Sequence, residues 1–134
     1  MKALMRLLSL LTLTAAPVLA QALPTGQTWT LHRAGNLRTS PTVQRAEAPT
    51  LRFEGGRVTG TTGCNTFTGT YTVTQREVRL SPLATTRRAC ANDVATALEA
   101  RYLRTLGSVR RFSLSGPVLL LATDRGETLV FRQK

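Results

Sequence analysis

The sequence predicts an α+β domain in which five strands are followed by one helix and three further strands. Several short segments alternate polar and apolar residues, most regularly from Thr66 to Val73. One segment after Asn92 instead places its apolar residues at helical spacing. Turn-forming glycine and proline residues separate most of these segments. These periods and the breaks between them define the order of elements.

The first five strands form a predicted meander. Gly55-Gly56 is typical of a tight hairpin, and Pro82 ends the meander because proline cannot donate a hydrogen bond to a sheet. The irregular segment 34–49 is predicted to be a loop. The predicted strands cover residues 28–31, 51–53, 57–61, 66–73 and 78–80.

The helix is predicted to begin at Asn92, whose side chain can cap the first turn, and to stop at Gly107. Asp93 and Arg104 match the two ends of the helix dipole. The last three predicted strands cover residues 109–114, 118–122 and 128–132.

The apolar positions of each alternating or helical pattern predict which side chains form the core. On strand 66–73, the pattern directs Phe67, Tyr71 and Val73 inward and four threonines outward. The other predicted core residues are Trp29, Leu31, Leu51, Phe53, Leu98, Tyr102, Leu119, Leu121, Leu129 and Phe131.

Residues 1–20 are typical of a signal peptide, with a basic start, a short apolar run and small residues before a cleavage position after Ala20 or Ala22. The apolar run is shorter than the roughly 20 residues that span a bilayer. We expect a single mature domain, 21–134, with a core at about 28–132. The first cysteine is Cys64, so no cysteine is placed to carry a lipid anchor. The sequence therefore predicts a soluble periplasmic or secreted monomer.

The charge is strongly basic. Loss of Lys2 and Arg6 with the leader lowers the net charge from +11 by two, to +9. The basic residues are scattered arginines, which indicates either a solvated surface or attraction to anionic lipid headgroups. Nucleic acid is not expected as a partner, because the few aromatic residues form no nucleic-acid motif and the leader directs the chain to export.

Cys64 and Cys90 are an even pair in a chain predicted to be exported, which favours a structural disulfide. The alternative is a redox or metal-binding pair. A metal would need further histidine or cysteine ligands, and the sole histidine is His32. We therefore expect no metal and no cofactor.

Side chains suited to catalysis are dispersed and form no known catalytic motif. They are His32, Ser81, Asp93, Asp124, Glu54, Glu77, Glu99 and Glu127. The sequence accordingly predicts no enzyme. Asn65 is interpreted first as a turn residue and second as a ligand-binding residue, while Thr85 and Thr86 are expected to brace the loop before the helix.

Three segments resemble the META domain, the HslJ-like family of bacterial envelope proteins. They are 49–53, 60–71 and 83–90, and they contain the motif residues Gly63, Cys64, Asn65, Phe67, Gly69, Tyr71, Thr86 and Cys90. The resemblance covers about residues 29–131. It implies a curved, partly open antiparallel sheet, barrel-like in shape, packed on one helix. It also implies a link to heat shock, envelope stress and antibiotic tolerance, without an agreed biochemical activity.

Two functions compete. The first is a binding or chaperone module whose partner is an envelope protein or an anionic lipid, with the apolar part of a ligand entering the opening of the sheet. The alternative is an inhibitor of an exported hydrolase. The net charge of +9 disfavours an inhibitor of a cationic lysozyme, which would be acidic.

Overall fold

The computed structural model describes residues 13–17, 21–36 and 48–134. Within this part of the chain, nine strands and one helix follow the predicted order, with one short strand added before the helix. The strands are β1 (Thr28–Asn36), β2 (Thr50–Glu54), β3 (Arg57–Thr61), β4 (Thr66–Thr74), β5 (Glu77–Leu80), β6 (Ala84–Thr85), β7 (Val109–Ser115), β8 (Val118–Thr123) and β9 (Glu127–Gln133), and the helix is α1 (Asp93–Gly107).

Eight strands form a closed antiparallel barrel. The order of neighbours is β3-β2-β1-β9-β8-β7-β5-β4, and a ladder between β3 and β4 closes the ring. The short β6 pairs only with β4. The predicted α+β class is confirmed, and the sheet is more complete than the partly open one that the resemblance implies. Its narrowest ladder joins β5 to β7 through the single pair Glu77 and Arg111.

The helix covers the end of the barrel at which β2 and β4 begin. Asn92 caps its first turn by accepting a hydrogen bond from Ala95 N at 2.9 Å, as predicted. The Tyr102 hydroxyl donates to the carbonyl oxygen of Thr50 at 3.1 Å. The Tyr102 ring lies edge to face with Phe67 and Phe131. The buried face of α1 therefore completes the core of the barrel.

An N-terminal segment, Gln21 to Gly26, lies across the opposite end. Leu23 is buried in the core, and Gly26 N donates to the carbonyl oxygen of Phe53 at 2.8 Å. The Gln21 side-chain amide makes two hydrogen bonds of 3.1 Å with the backbone of Leu114. Both ends of the barrel are thus covered by elements of the same chain.

Most of the predicted core is confirmed. Ten of the thirteen predicted core side chains are buried: Trp29, Leu31, Leu51, Phe53, Phe67, Tyr102, Leu119, Leu121, Leu129 and Phe131. Tyr71 is half-buried and packs against the core. Leu98 is also half-buried but is not among the side chains packed against the core. The prediction for Val73 is wrong, because 40% of this residue is exposed. Val73 lies where β4 extends past its pairing with β3 and pairs with β5 alone, so it has a neighbouring strand on one side only.

The predicted loop 34–49 is partly wrong, since β1 continues to Asn36 through pairing with β9. The remainder of that loop, 37–47, lies outside the described residues. The predicted signal peptide also falls mainly outside them, in 1–12 and 18–20. Among the helices of the described segments, none is long and apolar enough to cross a membrane.

Candidate functional site

The residues of the predicted motif meet beside α1. The turn between β3 and β4 carries Cys64 and Asn65, and the segment after β6 carries Thr86 and Cys90. Gly63 has a φ of +99°, a conformation that favours glycine and that turns the chain into Cys64. The helix contributes Glu99. We call this group the Asn65 cluster, made up of Thr62, Cys64, Asn65, Thr86, Cys90 and Glu99.

Asn65 is the centre of the cluster and only 3% of its surface is exposed. Its Oδ1 accepts hydrogen bonds from Thr86 Oγ1 at 2.9 Å and from Arg88 N at 2.8 Å. Its Nδ2 donates to the carbonyl oxygen of Arg88 at 3.0 Å and to both carboxylate oxygens of Glu99. The amide thus uses its full hydrogen-bonding capacity to join three separate parts of the chain. This role is wider than the predicted local turn.

Cys64 and Cys90 form a disulfide, with sulfur atoms 2.02 Å apart and Cα atoms 5.4 Å apart. One Glu99 carboxylate oxygen lies 3.0 Å from Cys64 Sγ. A disulfide sulfur carries no hydrogen, so this is a direct contact between sulfur and carboxylate oxygen. The same oxygen accepts a hydrogen bond from Thr62 Oγ1. The two sulfur atoms and a Glu99 oxygen all lie within 4.8 Å of one another.

The other motif residues pack the barrel. A Cβ on Gly69 would lie 2.8 Å from Leu83 Cδ2. The absence of a side chain on Gly69 therefore lets the Leu83 side chain pack against β4 at this position. Phe67 is buried, and Tyr71 lies edge to face with Phe53 at a centroid distance of 4.9 Å. Thr86 also accepts a hydrogen bond from Thr66 N at 3.1 Å, which confirms its predicted bracing role.

Glu99 is the residue that sequence reasoning placed among dispersed acids. A signal was available, because Glu99 precedes the predicted core residue Tyr102 by three positions and so shares its face of the helix. The helical period could not show which loops meet that face. Glu99 could have been identified as an acidic side chain at the edge of the buried face of the helix.

The remaining candidates for catalysis stay apart from the Asn65 cluster. The Ser81 hydroxyl accepts a hydrogen bond from Thr70 N. Thr85, which was predicted to brace the loop before the helix, pairs with Phe67 of β4 as part of β6. Glu54 is exposed and pairs with Arg52, whose hydrogen bond and positive charge lower the pKa of the Glu54 carboxyl. His32 lies in β1 on the far side of the ring from β4. Two further candidates, Asp124 and Glu127, line a common cleft, and His32, Glu54 and Ser81 are not among its lining residues.

A second feature is an open cleft of about 330 Å³ near the C-terminal end of α1. We call it the arginine cleft, and its lining residues are Arg104, Ser108, Arg110, Thr123, Asp124, Arg125 and Glu127. Asp124 accepts a hydrogen bond from Arg111 at 3.2 Å, so part of its charge is already paired. In the described part of the chain, Arg104, Arg110 and Arg125 form no ion pair. Arg110 Nη1 donates to the carbonyl oxygen of Val109 at 2.8 Å. The cleft therefore offers an anion the guanidinium groups of Arg104 and Arg125 and the remaining donors of Arg110.

The two features differ in their chemistry. The Asn65 cluster satisfies its own polar groups and ties the loops to the helix. The arginine cleft is open and presents cationic donors to solvent. We therefore consider the cleft the better candidate for binding a partner.

Comparison with solved structures shows the same fold in bacterial proteins. A protein from Burkholderia xenovorans, solved by NMR, has a TM-score of 0.68 and 21% sequence identity, with 91% of this chain and 99% of that chain covered. A second NMR structure has a TM-score of 0.60 and 24% identity, with 79% and 87% covered. A crystal structure of a DUF4847 family protein from Bacteroides vulgatus has a TM-score of 0.56 and 16% identity, with 79% and 91% covered.

At these identities the structural neighbours show a shared fold only. A search of curated proteins finds no significant match. A sequence model of the META domain matches residues 21–134, which include every strand, the helix and both features described above. The chain belongs to the META domain family.

Proposed function

We propose that this protein is a non-enzymatic binding protein of the bacterial envelope that holds anionic amphiphiles at its arginine cleft. The observation that carries the proposal is an open cleft of about 330 Å³ lined by Arg104, Arg110 and Arg125, which form no ion pair within the described residues. Guanidinium groups bind phosphate and carboxylate groups through paired hydrogen bonds. A phosphate headgroup is therefore a suitable occupant.

The closed barrel changes where the ligand is expected to bind. Trp29, Phe53 and Phe131 are at most 1% exposed, and they fill the interior into which an apolar chain was expected to enter. Leu23 and the helix cover the two ends. The headgroup contact with the arginine cleft, and not insertion of an acyl chain, should accordingly dominate binding.

The net charge supports the same proposal. A net charge of +9 on the mature chain, which is the +11 of the full sequence less Lys2 and Arg6, attracts an anionic bilayer over the screening length of about 8 Å at physiological ionic strength. Each arginine near an anionic surface contributes about 1 kcal/mol. Replacing two cleft arginines should weaken binding by about 2 kcal/mol, or about thirtyfold.

The test is binding to phosphatidylglycerol vesicles, with phosphatidylcholine vesicles as the neutral reference. The variant R104Q/R125Q removes two charges from the cleft. The control R76Q/R79Q also removes two charges. Arg76 directly precedes β5, Arg79 lies within it, and both are exposed. We expect strong binding of the wild type at low salt, a loss of about thirtyfold for the cleft variant and a much smaller loss for the control.

Equal losses in both variants would show that the whole basic surface acts and that the cleft has no special role. Binding should also fall steeply in about 1 M salt, where the screening length is about 3 Å. If the wild type ignores anionic vesicles at low salt, the lipid proposal fails and an acidic envelope protein becomes the preferred partner. A link to envelope stress or antibiotic tolerance, which the family resemblance implies, would rest on such binding.

A further inference from the structure

We propose that reduction of the Cys64–Cys90 disulfide converts the Asn65 cluster into a Zn²⁺ site, with the two cysteine sulfurs and the Glu99 carboxylate as ligands. This inference is independent of the arginine cleft. Its basis is that the two sulfur atoms and a Glu99 oxygen lie within 4.8 Å of one another. All three residues are half-buried, so a cation can reach them from solvent.

The segments that carry the three ligands are also joined by hydrogen bonds that do not involve the disulfide. Asn65 holds the Glu99 carboxylate from Nδ2, at 2.8 Å and 3.1 Å from its two oxygens. It also holds Arg88 by two hydrogen bonds, two residues before Cys90. Cys64 adjoins Asn65 in the chain. One buried amide therefore keeps all three ligands together when the disulfide opens.

The donor set suits zinc. Zinc binds thiolate sulfur at about 2.3 Å and carboxylate oxygen at about 2.0–2.2 Å in tetrahedral geometry. Three protein ligands leave the fourth position for water. Mg²⁺ and Ca²⁺ prefer sites made only of oxygen, so the sulfur pair disfavours them. The hydrogen bonds from Asn65 and Thr62 to Glu99 supply the outer contacts that orient a metal-binding carboxylate.

The cation also resolves a conflict of charge. In the reduced protein, a Cys64 thiolate would lie beside the Glu99 carboxylate, which is now 3.0 Å from its sulfur. Two adjacent negative charges disfavour each other, and a divalent cation between them reverses that effect. Zinc should therefore stabilise the reduced form over the disulfide.

The reaction balances with a dithiol as the reductant. The dithiol gives two electrons and two protons to the disulfide, so Cys64 and Cys90 become thiols while the dithiol becomes a disulfide. Binding of Zn²⁺ then releases the two thiol protons as both cysteines become thiolate ligands.

The experiment uses the mature chain, 21–134. The protein is reduced with dithiothreitol, which is then removed by gel filtration in the absence of oxygen. Co²⁺ is the spectroscopic probe and Zn²⁺ the competitor. We expect one Co²⁺ per reduced chain, with thiolate-to-cobalt charge-transfer absorption that Zn²⁺ abolishes. The oxidised protein and the C64S/C90S variant should show no such absorption. E99Q should weaken Co²⁺ binding at least tenfold, whereas the control E77Q, on the exposed side of β5, should leave it unchanged.

Far-UV circular dichroism of each reduced protein accompanies the titration. Reduction that unfolds the domain would overturn the proposal, because a preformed site is its premise. Absence of charge-transfer absorption in the folded, reduced protein would overturn it as well. Binding by E99Q equal to that of the wild type would remove Glu99 as a ligand and with it the proposed site.

Discussion

Asn65 Nδ2 donates hydrogen bonds to both carboxylate oxygens of Glu99, at 3.1 Å to Oε1 and 2.8 Å to Oε2. The two residues are 34 positions apart in the chain and belong to a turn and a helix. This contact joins the closed sheet to the element that covers its end. It gives the asparagine of the family motif a tertiary role.

Replacing Asn65 with alanine should destabilise the protein strongly. The substitution removes both Asn65 bonds to Glu99, which keeps only Thr62 as a donor, and both bonds to the backbone of Arg88. Each polar group left unpaired away from water costs about 1–3 kcal/mol. We expect a loss of at least about 3 kcal/mol in the free energy of unfolding, measured by urea denaturation. The control N92A removes only a helix cap and should cost about 1 kcal/mol. Similar losses in the two variants would contradict the central role of Asn65.

Gly60 should not tolerate even a methyl group. A Cβ at this position would lie 2.1 Å from the Thr50 carbonyl oxygen and 2.7 Å from the Phe67 ring. We expect G60A to lose about 3 kcal/mol through overpacking, seen as a lower midpoint of thermal unfolding. The control is G107A, because Gly107 is the last residue of α1 and a Cβ there meets nothing within 4 Å. That variant should be neutral or more stable by about 0.5–1 kcal/mol. A stable G60A protein would mean that β3 has more room beside Thr50 and Phe67 than these distances give.

Phe67 and Val73 should differ in their contribution, although both occupy the apolar phase of β4. Phe67 is 3% exposed and contacts Tyr102 across the core, so F67A should cost about 3–5 kcal/mol. Val73 is 40% exposed beyond the ring of strands, so V73A should cost less than about 1 kcal/mol. Chemical denaturation of both variants provides the comparison. Equal losses of stability in the two variants would indicate that Val73 is buried in the core like Phe67.

The stability of the protein should fall in alkaline solution because of Tyr102. Burial raises the pKa of its phenol above the ordinary value of 10.0. Above pH 10 the unfolded chain therefore releases this proton while the folded chain keeps it, so rising pH favours unfolding. The slope approaches about 1.4 kcal/mol per pH unit. Below pH 10 both states are protonated and the effect vanishes.

The matched variant is Y102F, which also loses the hydrogen bond to Thr50, at a cost of about 1 kcal/mol near neutral pH. Urea denaturation at pH 8 measures the cost of the lost hydrogen bond, and the difference between pH 8 and pH 11 measures the pH-dependent loss of stability. The decline in stability between these pH values should be smaller in Y102F than in the wild type. An equal decline in both proteins would exclude Tyr102 as its source.

The sequence by itself determined most elements of this protein, but not the short β6 or the continuation of β1 to Asn36. Alternation along a strand shows which side chains share a face, so the inward residues of β1, β2, β8 and β9 were predictable from local period alone. The helix was predictable from its cap and its apolar spacing. The motif around Cys64 and Asn65 indicated the family by resemblance, and the match of the META domain model to residues 21–134 shows it.

The tertiary structure decided what those elements meet. Local period could not show that β3 pairs with β4 to close the ring, nor that β4 continues past its neighbour and leaves Val73 exposed. Local period also could not show that Glu99 lies beside Asn65, or that Arg104 and Arg125 line one cleft, because the members of each pair belong to elements distant in the chain. Such contacts depend on how the sheet curves and where the helix rests upon it. These long-range properties result from packing of the whole domain, and both candidate sites depend on them.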